Sequence, residues 1–445
     1  MRNGRMRQRG RQSTGVSPTG AAPVEPEEPW LKKLGPGLIT GAADDDPSGI
    51  ATYSQAGAQF GFSMLWTVLI TYPLMVGIQV VSARIGRVSG HGLATNIRRH
   101  YPAWLLYSIV GLLLVANTIN IAADVAAMGE AFKLLVGGPA QLYAIAFGLL
   151  SLALQVFIPY RRYVRILKWL TLGLLAYVAT VFVIEVPWPQ VLASAMAPHL
   201  SWKPEYVTTV VAVFGTTISP YLFFWQASQE VEEQLADPKA EPLIDAPEQA
   251  KSALRRIKID TYIGMGFSNL VAFFIMLTTA VTLNLQGITD IQTSAQAASA
   301  LRPIAGEFAF ILFSAGIIGT GLLAIPVLGG SSAYAMAGAF KWKNSLERAP
   351  MRAKQFYGVT AISTVAGIAL GFTRLDPIKA LYWSAVINGV ISIPIMAVMM
   401  LMSARPEIMG QFVVTTRLKV LGWLATLMMT VAVIAMFWVM LRPEK

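Results

Sequence analysis

Long apolar segments recur along the chain, separated by short stretches rich in charge, proline and glycine. Each approaches or exceeds the roughly 20 residues that a helix needs to cross the hydrocarbon core of a bilayer. The segments lie near residues 35–62, 63–88, 103–132, 140–159, 165–185, 205–230, 259–284, 304–329, 355–373, 378–402 and 419–441. The pattern predicts an all-α integral membrane protein with about eleven transmembrane helices.

The composition agrees with a membrane protein and excludes some site chemistries. Of the 445 residues, 55% are hydrophobic and 13% are charged, and the mean hydropathy is +0.55. Soluble domains carry roughly 25% charged residues, about twice this fraction. The chain contains no cysteine, so disulfides and thiolate metal sites are excluded.

The basic residues are distributed unevenly between alternate loops. With the N-terminus placed inside, the tail and the inner loops hold 28 of the 35 Lys and Arg residues. Such a bias orients membrane proteins with their basic loops in the cytoplasm. The sequence therefore predicts a multi-pass protein of the cell membrane with a cytoplasmic N-terminus and an external C-terminus. This topology explains the net charge of +11, and no nucleic-acid partner is expected. Near one inner loop, Glu230, Glu232 and Glu233 are interpreted as a solvated helix end.

The chain divides into a tail, two halves of five predicted spans and a final span. Residues 1–33 combine arginines with Gly, Ser, Pro and Gln and lack a signal-peptide core, which predicts a disordered basic cytoplasmic tail. We expect residues 34–185 and 186–402 to form two inverted repeats, the second including a cytoplasmic loop at 231–257. Residues 403–445 carry the last span. The lipid bilayer is the expected surrounding, and no obligate protein partner is inferred.

Two apolar segments are interrupted by proline at equivalent positions of the two halves. The first contains Asp44-Asp45-Asp46-Pro47-Ser48-Gly49, and the sixth contains Gly215-Thr216-Thr217-Ile218-Ser219-Pro220-Tyr221. One carboxylate at the bilayer centre costs about 3 kcal/mol, so three in succession indicate function. Proline removes an amide donor and frees a carbonyl one turn earlier. Paired broken helices of this kind point to the midplane substrate site of a transporter.

The chemistry of the two breaks favours a cation. Each first half-helix points the negative end of its dipole at the gap. Asp46 and Asp45 add carboxylates, and the backbone carbonyls near Thr216 and Thr217 are expected to be free. Three adjacent carboxylates cannot all reach one ion. We therefore expect Asp46 to be the main ligand, with Asp44 and Asp45 partly facing water at the mouth of a cavity.

The candidate donors near the breaks are all oxygen atoms. They belong to Asp46, Thr216, Thr217, Ser219 and the main chain, and neither Met nor His occurs in the sixth span. Oxygen ligands favour Mg²⁺, Ca²⁺ or Mn²⁺ over softer transition metals. The small residues Gly49 and Ser219 leave room for a partly hydrated ion, which suits Mg²⁺ because it sheds water reluctantly. The metal is expected as transported substrate, and no resident cofactor is expected.

The residues around the first break resemble the first helix of the Nramp family of divalent-metal transporters. The match comprises Asp46-Pro47-Ser48-Gly49, Ala51-Thr52 and residues 55–63. It extends through Asp124 in the third span and Ser219-Pro220-Tyr221 in the sixth. The resemblance implies a carrier and not an enzyme, with the inverted-repeat fold of the LeuT type and alternating access.

The differences from the family pattern are as informative as the match. Gly49 stands where the family has asparagine, Ser219 replaces a methionine, and Tyr221 and Gln226 replace histidines. The thioether that favours transition metals is thus missing. The pattern is similar to the Nramp-related magnesium transporters, which implies Mg²⁺, and also Mn²⁺, as the ions moved into the cell.

Proton coupling is not expected from this resemblance. Ala127 and Asn117 stand where the family has acids in the third span, and the ninth span holds no arginine. Asp124 remains as the central acid, and Asp124, Tyr221 and Gln226 are assigned to the transport path. Proton relays through membranes need chains of Asp, Glu or His. We therefore expect uptake driven by the ion gradient and the membrane potential.

Three alternative functions fit less well. A proton-coupled Mn²⁺ or Fe²⁺ transporter would be supported by a sulfur ligand and by further acids in the third span, which are missing. An organic-solute symporter with an anionic substrate would present half-helix N-termini without the carboxylates of residues 44–46. An intramembrane aspartic protease would pair this cluster with Asp124 and leave the break in the sixth span unexplained.

Overall fold

The computed structural model describes residues 36–158, 173–198, 200–342, 353–371 and 376–441. Helices, turns and short connections account for all of them, and this part of the chain contains no β-strand. Every described residue belongs to one compact unit, Leu34–Lys445. The tail predicted at residues 1–33 lies outside the described residues.

The described residues form 18 α-helices, numbered in chain order. They are α1 (Pro36–Asp44), α2 (Pro47–Phe60), α3 (Leu65–Ser89), α4 (Leu93–His100), α5 (Ala103–Val136), α6 (Ala140–Phe157), α7 (Leu175–Val181), α8 (Trp188–Met196), α9 (Pro204–Thr217), α10 (Pro220–Ala236), α11 (Ala250–Thr282), α12 (Ser294–Ser299), α13 (Arg302–Ala305), α14 (Ala309–Phe340), α15 (Lys354–Leu370), α16 (Pro377–Ser403), α17 (Pro406–Met409) and α18 (Thr416–Met440). Short 3₁₀ turns occupy Gly61–Met64, Pro247–Gln249, Asn284–Gln286, Gly306–Phe308 and Gly410–Phe412.

Within the described ranges, eight helical segments are long and apolar enough to cross a membrane. They are Pro47–Ser89, Ala103–Val136, Ala140–Phe157, Pro204–Ala236, Pro247–Gln286, Arg302–Phe340, Pro377–Ser403 and Thr416–Met440. The first of these segments joins α2 to α3, which the sequence predicts as two separate spans. The helix of the ninth predicted span, α15, is short at 17 residues. The start of the fifth predicted span is not among the described residues. The all-α membrane class is confirmed, and these three features explain why eight segments stand against about eleven predicted ones.

Both predicted helix breaks are present. α1 ends at Asp44 and α2 begins at Pro47, while α9 ends at Thr217 and α10 begins at Pro220. Each proline occupies the first helical position, where its missing N–H would have had no partner in the helix. The prolines therefore start new helices rather than kinking continuous ones.

The broken helices lie in the interior of the bundle. The apolar window of the α9–α10 segment is completely buried, whereas only a third of the window of α18 is buried. Exposed apolar side chains such as Leu427, Val431 and Ile434 line the outer face of α18. Such a face suits contact with lipid acyl chains. The two inverted repeats, at residues 34–185 and 186–402, stay a prediction.

Candidate cation site at the two helix breaks

Asp46 closes the start of α2 and contacts the second broken helix. It is the N-cap residue of α2, and its Oδ1 accepts a 2.7 Å hydrogen bond from the backbone N–H of Gly49. Its Oδ2 accepts the hydroxyl of Tyr221, on α10, at 3.3 Å. The same hydroxyl lies 3.1 Å from the carbonyl oxygen of Ala43, in α1. Tyr221 thus joins α1, α10 and the cap of α2 around a carboxylate that is 2% exposed.

Ser219 closes the end of α9 rather than capping α10. Its hydroxyl lies 2.7 Å from the carbonyl oxygen of Thr216 and 2.9 Å from that of Gly215, and donates to them. The expectation that the carbonyl of Thr216 is free is therefore wrong, because a hydroxyl replaces the amide donor that Pro220 lacks. The lone pairs of the Ser219 oxygen are still available to a cation.

Gly49 and Thr216 face each other across the two broken helices. A Cβ atom placed on Gly49 would lie 3.4 Å from Thr216 Oγ1 and 3.3 Å from the carbonyl oxygen of Asp44. A longer side chain at this position would occupy the space between α2 and α9. The hydroxyl of Thr217, in contrast, donates to Val213 at 2.7 Å and lies 2.9 Å from the hydroxyl of Tyr53.

Asp44 and Asp45 do not face water, so that expectation is wrong. They are 0% and 2% exposed, and both contact the hydroxyl of Ser268, on α11. Ser268 Oγ lies 2.6 Å from Asp44 Oδ2 and 3.1 Å from Asp45 Oδ1. The helical packing of α1 against α11 excludes the water that a cavity mouth would need. The role of Asp45 as a metal ligand stays a prediction.

Asp124, on α5, lies fully buried near the breaks. It is close enough to Asp46 and Tyr221 to interact with both electrostatically. Neither of its carboxylate oxygens has a hydrogen-bond partner among the described residues. A carboxylate in this position adds negative charge beside the candidate site, and it is the one predicted path residue left without a protein partner in the described ranges.

The side-chain amide of Gln226 is hydrogen-bonded to residues of two other helices. Its Oε1 accepts Gln79 Nε2, on α3, at 2.6 Å, and its Nε2 donates to Thr261 Oγ1, on α11, at 3.0 Å. Gln79 Nε2 also donates to the carbonyl oxygen of Leu222. These contacts use both ends of the Gln226 amide for packing between α3, α10 and α11. Its assignment to the transport path stays a prediction.

Four residues on one face of α11 bind α1 and α10, and the sequence-based predictions do not include them. We call this set the stripe on α11. Arg256, Asp260, Gly264 and Ser268 are spaced four residues apart and so share one helix face. Asp260 Oδ2 accepts the backbone N–H of Gly37 at 2.6 Å, at the start of α1. The four-residue spacing was the available signal, but it does not reveal which helix the stripe contacts.

Glu230 is a buried ion-pair partner, so the interpretation of a solvated helix end is wrong for this residue. It is 0% exposed and its carboxylate pairs with Arg256. Arg256 also lies 3.0 Å from Glu233, whose side chain is 41% exposed. Arg256 neutralises the carboxylate of Glu230, which would be costly to bury on α10 without an ion-pair partner.

A cavity of about 330 Å³ lies near the C-terminal half of α2 and the start of α9. Gln55, Glu205, Asp290 and Tyr382 are among its lining residues. Gln55 also accepts the backbone N–H of Ile291 at 2.9 Å, which fixes the connection that carries Asp290. The cavity therefore combines two acidic side chains with amide and phenol groups, and Lys379 adds one basic side chain to its lining.

The described residues contain no group of three or more His, Cys, Asp or Glu side chains that could hold a metal. A cation at the breaks would instead meet the carboxylate of Asp46, the hydroxyls of Thr216 and Ser219, backbone oxygens and its own water. Hard oxygen donors of this kind suit Mg²⁺, Ca²⁺ and Mn²⁺.

A helical membrane protein whose two broken helices meet at a buried oxygen-rich gap has the architecture of a secondary transporter. The family model described as Natural resistance-associated macrophage protein-like matches residues 37–439. The chain belongs to the Nramp family of divalent-metal transporters. Its members are carriers and not enzymes.

Known proteins support this family and fold. The chain is 27% identical over 404 residues to the divalent metal cation transporter MntH of Klebsiella pneumoniae strain 342, covering 88% of this chain and 90% of the relative. The manganese transporter of Eremococcus coleocola, in complex with an aromatic bis-isothiourea substituted compound, superimposes with a TM-score of 0.72 at 18% identity, covering 94% and 90%. Mhp1, a nucleobase-cation-symport-1 family transporter in a closed conformation, gives 0.53 at 14% identity, covering 92% of each chain. These structures confirm the LeuT-type fold.

Proposed function

We propose that the protein moves partly hydrated Mg²⁺, and also Mn²⁺, into the cell by alternating access and without protons. The observation that carries the proposal is the donor set at the breaks. Residues 43–53 and 213–226 contain no Met, Cys or His, and the side chains that meet there end in oxygen. Oxygen-only sites favour hard divalent ions over softer transition metals.

The small residues at the breaks support a hydrated ion. Gly49 has no side chain to fill the gap to Thr216 Oγ1, and Ser219 is held back by its bonds to the carbonyls of α9. Mg²⁺ keeps several of its waters in most protein sites. A Cβ on Gly49 would already lie 3.4 Å from Thr216 Oγ1, so α2 and α9 must part to admit such water, and a longer side chain at this position would hinder its entry.

Manganese is the second candidate substrate. The relatives named above include a divalent metal cation transporter and a manganese transporter, and Mn²⁺ accepts the same oxygen donors as Mg²⁺. An organic substrate is less well supported, although Mhp1 has bromovinylhydantoin bound on a related fold. The buried carboxylate of Asp46 favours a cation at the position where that substrate would lie.

The membrane potential can drive this uptake. Each positive charge gains about 2.3 kcal/mol on crossing 100 mV, so a divalent cation gains about 4.6 kcal/mol. The charge pattern supports a cytoplasmic N-terminus, because most Lys and Arg residues then lie on the cytoplasmic side. Because the cell interior is negative, the membrane potential favours the inward direction for a cation whatever the orientation of the protein.

Uncoupled transport gives a direct test. Liposomes containing the purified protein and an inside-negative potential are expected to accumulate Mg²⁺ while an internal pH-sensitive dye stays constant. Protein-free liposomes provide the baseline. Addition of a proton ionophore, which lets the potential drive H⁺ inward, shows that the dye responds to acidification. Internal acidification in proportion to the Mg²⁺ flux would contradict the uncoupled mechanism, and absence of Mg²⁺ uptake would contradict the substrate.

Ser219→Met should shift the ion preference toward softer metals. The thioether adds a soft donor and fills space, so the ratio of Cd²⁺ to Mg²⁺ uptake is expected to rise about tenfold, equivalent to about 1.4 kcal/mol. Competition between the two ions in the liposome assay measures this ratio. Ser219→Ala is the matched control, because it removes the hydroxyl without adding sulfur. An unchanged ratio in Ser219→Met would count against the selectivity argument.

A further inference from the structure

Three polar residues form one row on the buried face of α5. Asn117, Asn120 and Asp124 are spaced three and four residues apart, so they share one helix face. All three are 0% exposed. The row extends over about 10 Å along the helix, at about 1.5 Å per residue.

The amide of Asn117 is oriented by groups that can only accept from it. Its Nδ2 lies 2.9 Å from the carbonyl oxygen of Leu328 and 2.8 and 2.9 Å from the hydroxyls of Ser331 and Ser332, on α14. Both serine hydroxyls donate to the Leu328 carbonyl, so their oxygens are acceptors toward Asn117. The Asn117 Oδ1 must therefore lie on the opposite side of the amide group.

The amide of Asn120 is used in the same way. Its Nδ2 donates to Asn388 Oδ1, on α16, at 3.1 Å. After these bonds, Asn117 Oδ1, Asn120 Oδ1 and both oxygens of Asp124 have no hydrogen-bond partner among the described residues. A buried acceptor left unpaired is costly, and each such group calls for a ligand or an ordered water.

The row presents acceptors and negative charge. An anion would be repelled by Asp124, and a bare cation would find only one charged ligand. The chemistry of the row matches a hydrated divalent cation best, because its polarised waters present hydrogen-bond donors in every direction. The row is fully buried in this structure, so the helices around it must part to admit the ion. Mg²⁺ in particular keeps its waters and binds through few direct carboxylate contacts.

The row begins beside the candidate site at the breaks. Asp124 interacts electrostatically with Asp46. One turn before Asn388 on α16, the hydroxyl of Ser384 donates to Ser48 Oγ, in the first turn of α2, at 3.2 Å. The same helix, α16, therefore contacts both the first break and the row. From Asp124 the row continues toward the N-terminal end of α5, the end that the charge pattern assigns to the cytoplasm.

We propose that Asn117, Asn120 and Asp124 form a second cation site, which binds a hydrated divalent cation through its waters on the cytoplasmic side of Asp46. The inference rests on the proposed function, since it extends the path of the same ion. It assigns a role to Asn120 and Asn117 as acceptors, and it explains the unpaired oxygens that packing alone leaves without a partner.

Counting bound Mn²⁺ tests the second site directly. Electron paramagnetic resonance of the purified chain, titrated with Mn²⁺, is expected to give two bound ions in the wild type and one in Asn117→Leu/Asn120→Leu. Thr118→Val is the matched control and should retain two ions, because among the described residues the Thr118 hydroxyl bonds only to Leu114, within α5. Two bound ions in the double variant would overturn the proposal. One bound ion in the wild type would also overturn it and would mean that water alone occupies the row.

Two further variants separate this proposal from the function on which it rests. Asp46→Ala should lose the ion at the breaks and keep the ion at the row. If it binds both ions, the assignment of the site at the breaks is wrong, while the row can still bind a cation. Asn120→Asp adds a carboxylate to the row and should tighten the weaker ion about tenfold. Asn120→Asp tests the second site on its own if thermal unfolding shows that Asn117→Leu/Asn120→Leu does not fold. Unchanged or weaker binding in Asn120→Asp would contradict the second site.

Discussion

Asp46→Ala should lower Mg²⁺ uptake into liposomes by about 100-fold or more, the largest effect expected from any single substitution in the chain. The change removes the charge that faces the gap and the acceptor for Gly49 N–H and the Tyr221 hydroxyl. Loss of the N-cap alone costs about 1 kcal/mol, so the start of α2 should also become less stable. Initial rates at saturating Mg²⁺ measure the effect.

Asp46→Asn separates charge from capping. The amide oxygen of asparagine can still accept from Gly49, so α2 should begin normally while the negative charge is lost. Uptake is expected to stay near the level of Asp46→Ala. Transport at the wild-type rate in either variant would show that Asp46 is not the ligand. Asp45→Asn serves as the neighbouring control, and a smaller loss is expected because Asp45 is bonded to Ser268.

Gly41→Ala should detach α1 from α11. A methyl group at Gly41 would overlap the backbone of Gly264, which is part of the stripe on α11. Because backbone cannot move aside as a flexible side chain can, overpacking of this kind costs about 1–3 kcal/mol. The bonds from Gly37 to Asp260 and from Ser268 to Asp44 should break together. We therefore expect α1 to spend more time away from the bundle.

The absence of native cysteine makes this displacement measurable. Thr40→Cys places a thiol on α1 at a position that is fully buried, so its reaction with a maleimide in detergent reports when α1 moves. Labelling should be about tenfold faster when Gly41→Ala is added. Gly111→Ala is the matched control, because a Cβ there has no atom of another described helix within 4 Å. Equal labelling rates and equal thermal stability would contradict the packing argument.

The helix breaks could be predicted because their signals are local. Proline after a polar residue in an apolar run fixes where one helix ends and another begins, whatever the rest of the chain does. The match of Asp46-Pro47 in the first half to Ser219-Pro220 in the second then predicted that two such breaks meet. Tyr221 and Gly49 are within three residues of these prolines, and the structure brings both to the gap.

The partners of the local groups could not be predicted in this way. Ser268 is more than 200 residues from Asp44, and nothing in the periodicity of α11 indicates which carboxylate its hydroxyl meets. For the same reason the sequence predicts that Asp44 and Asp45 partly face water at a cavity mouth, whereas packing buries both. Glu230 and Arg256 are closer in sequence, but their burial depends on how α10 and α11 pack. Burial of a charge is decided by the neighbours that cover it.

The hydroxyl of Ser219 links ion preference to the integrity of a helix end. The same oxygen that offers lone pairs to a hard cation also supplies the proton that holds the carbonyls of Gly215 and Thr216. A methionine at this position gains a soft donor but leaves two carbonyls without their donor, directly beside the ion. Ser219→Met alone can therefore shift the ion preference, but restoring the end of α9 at the same time requires a second change.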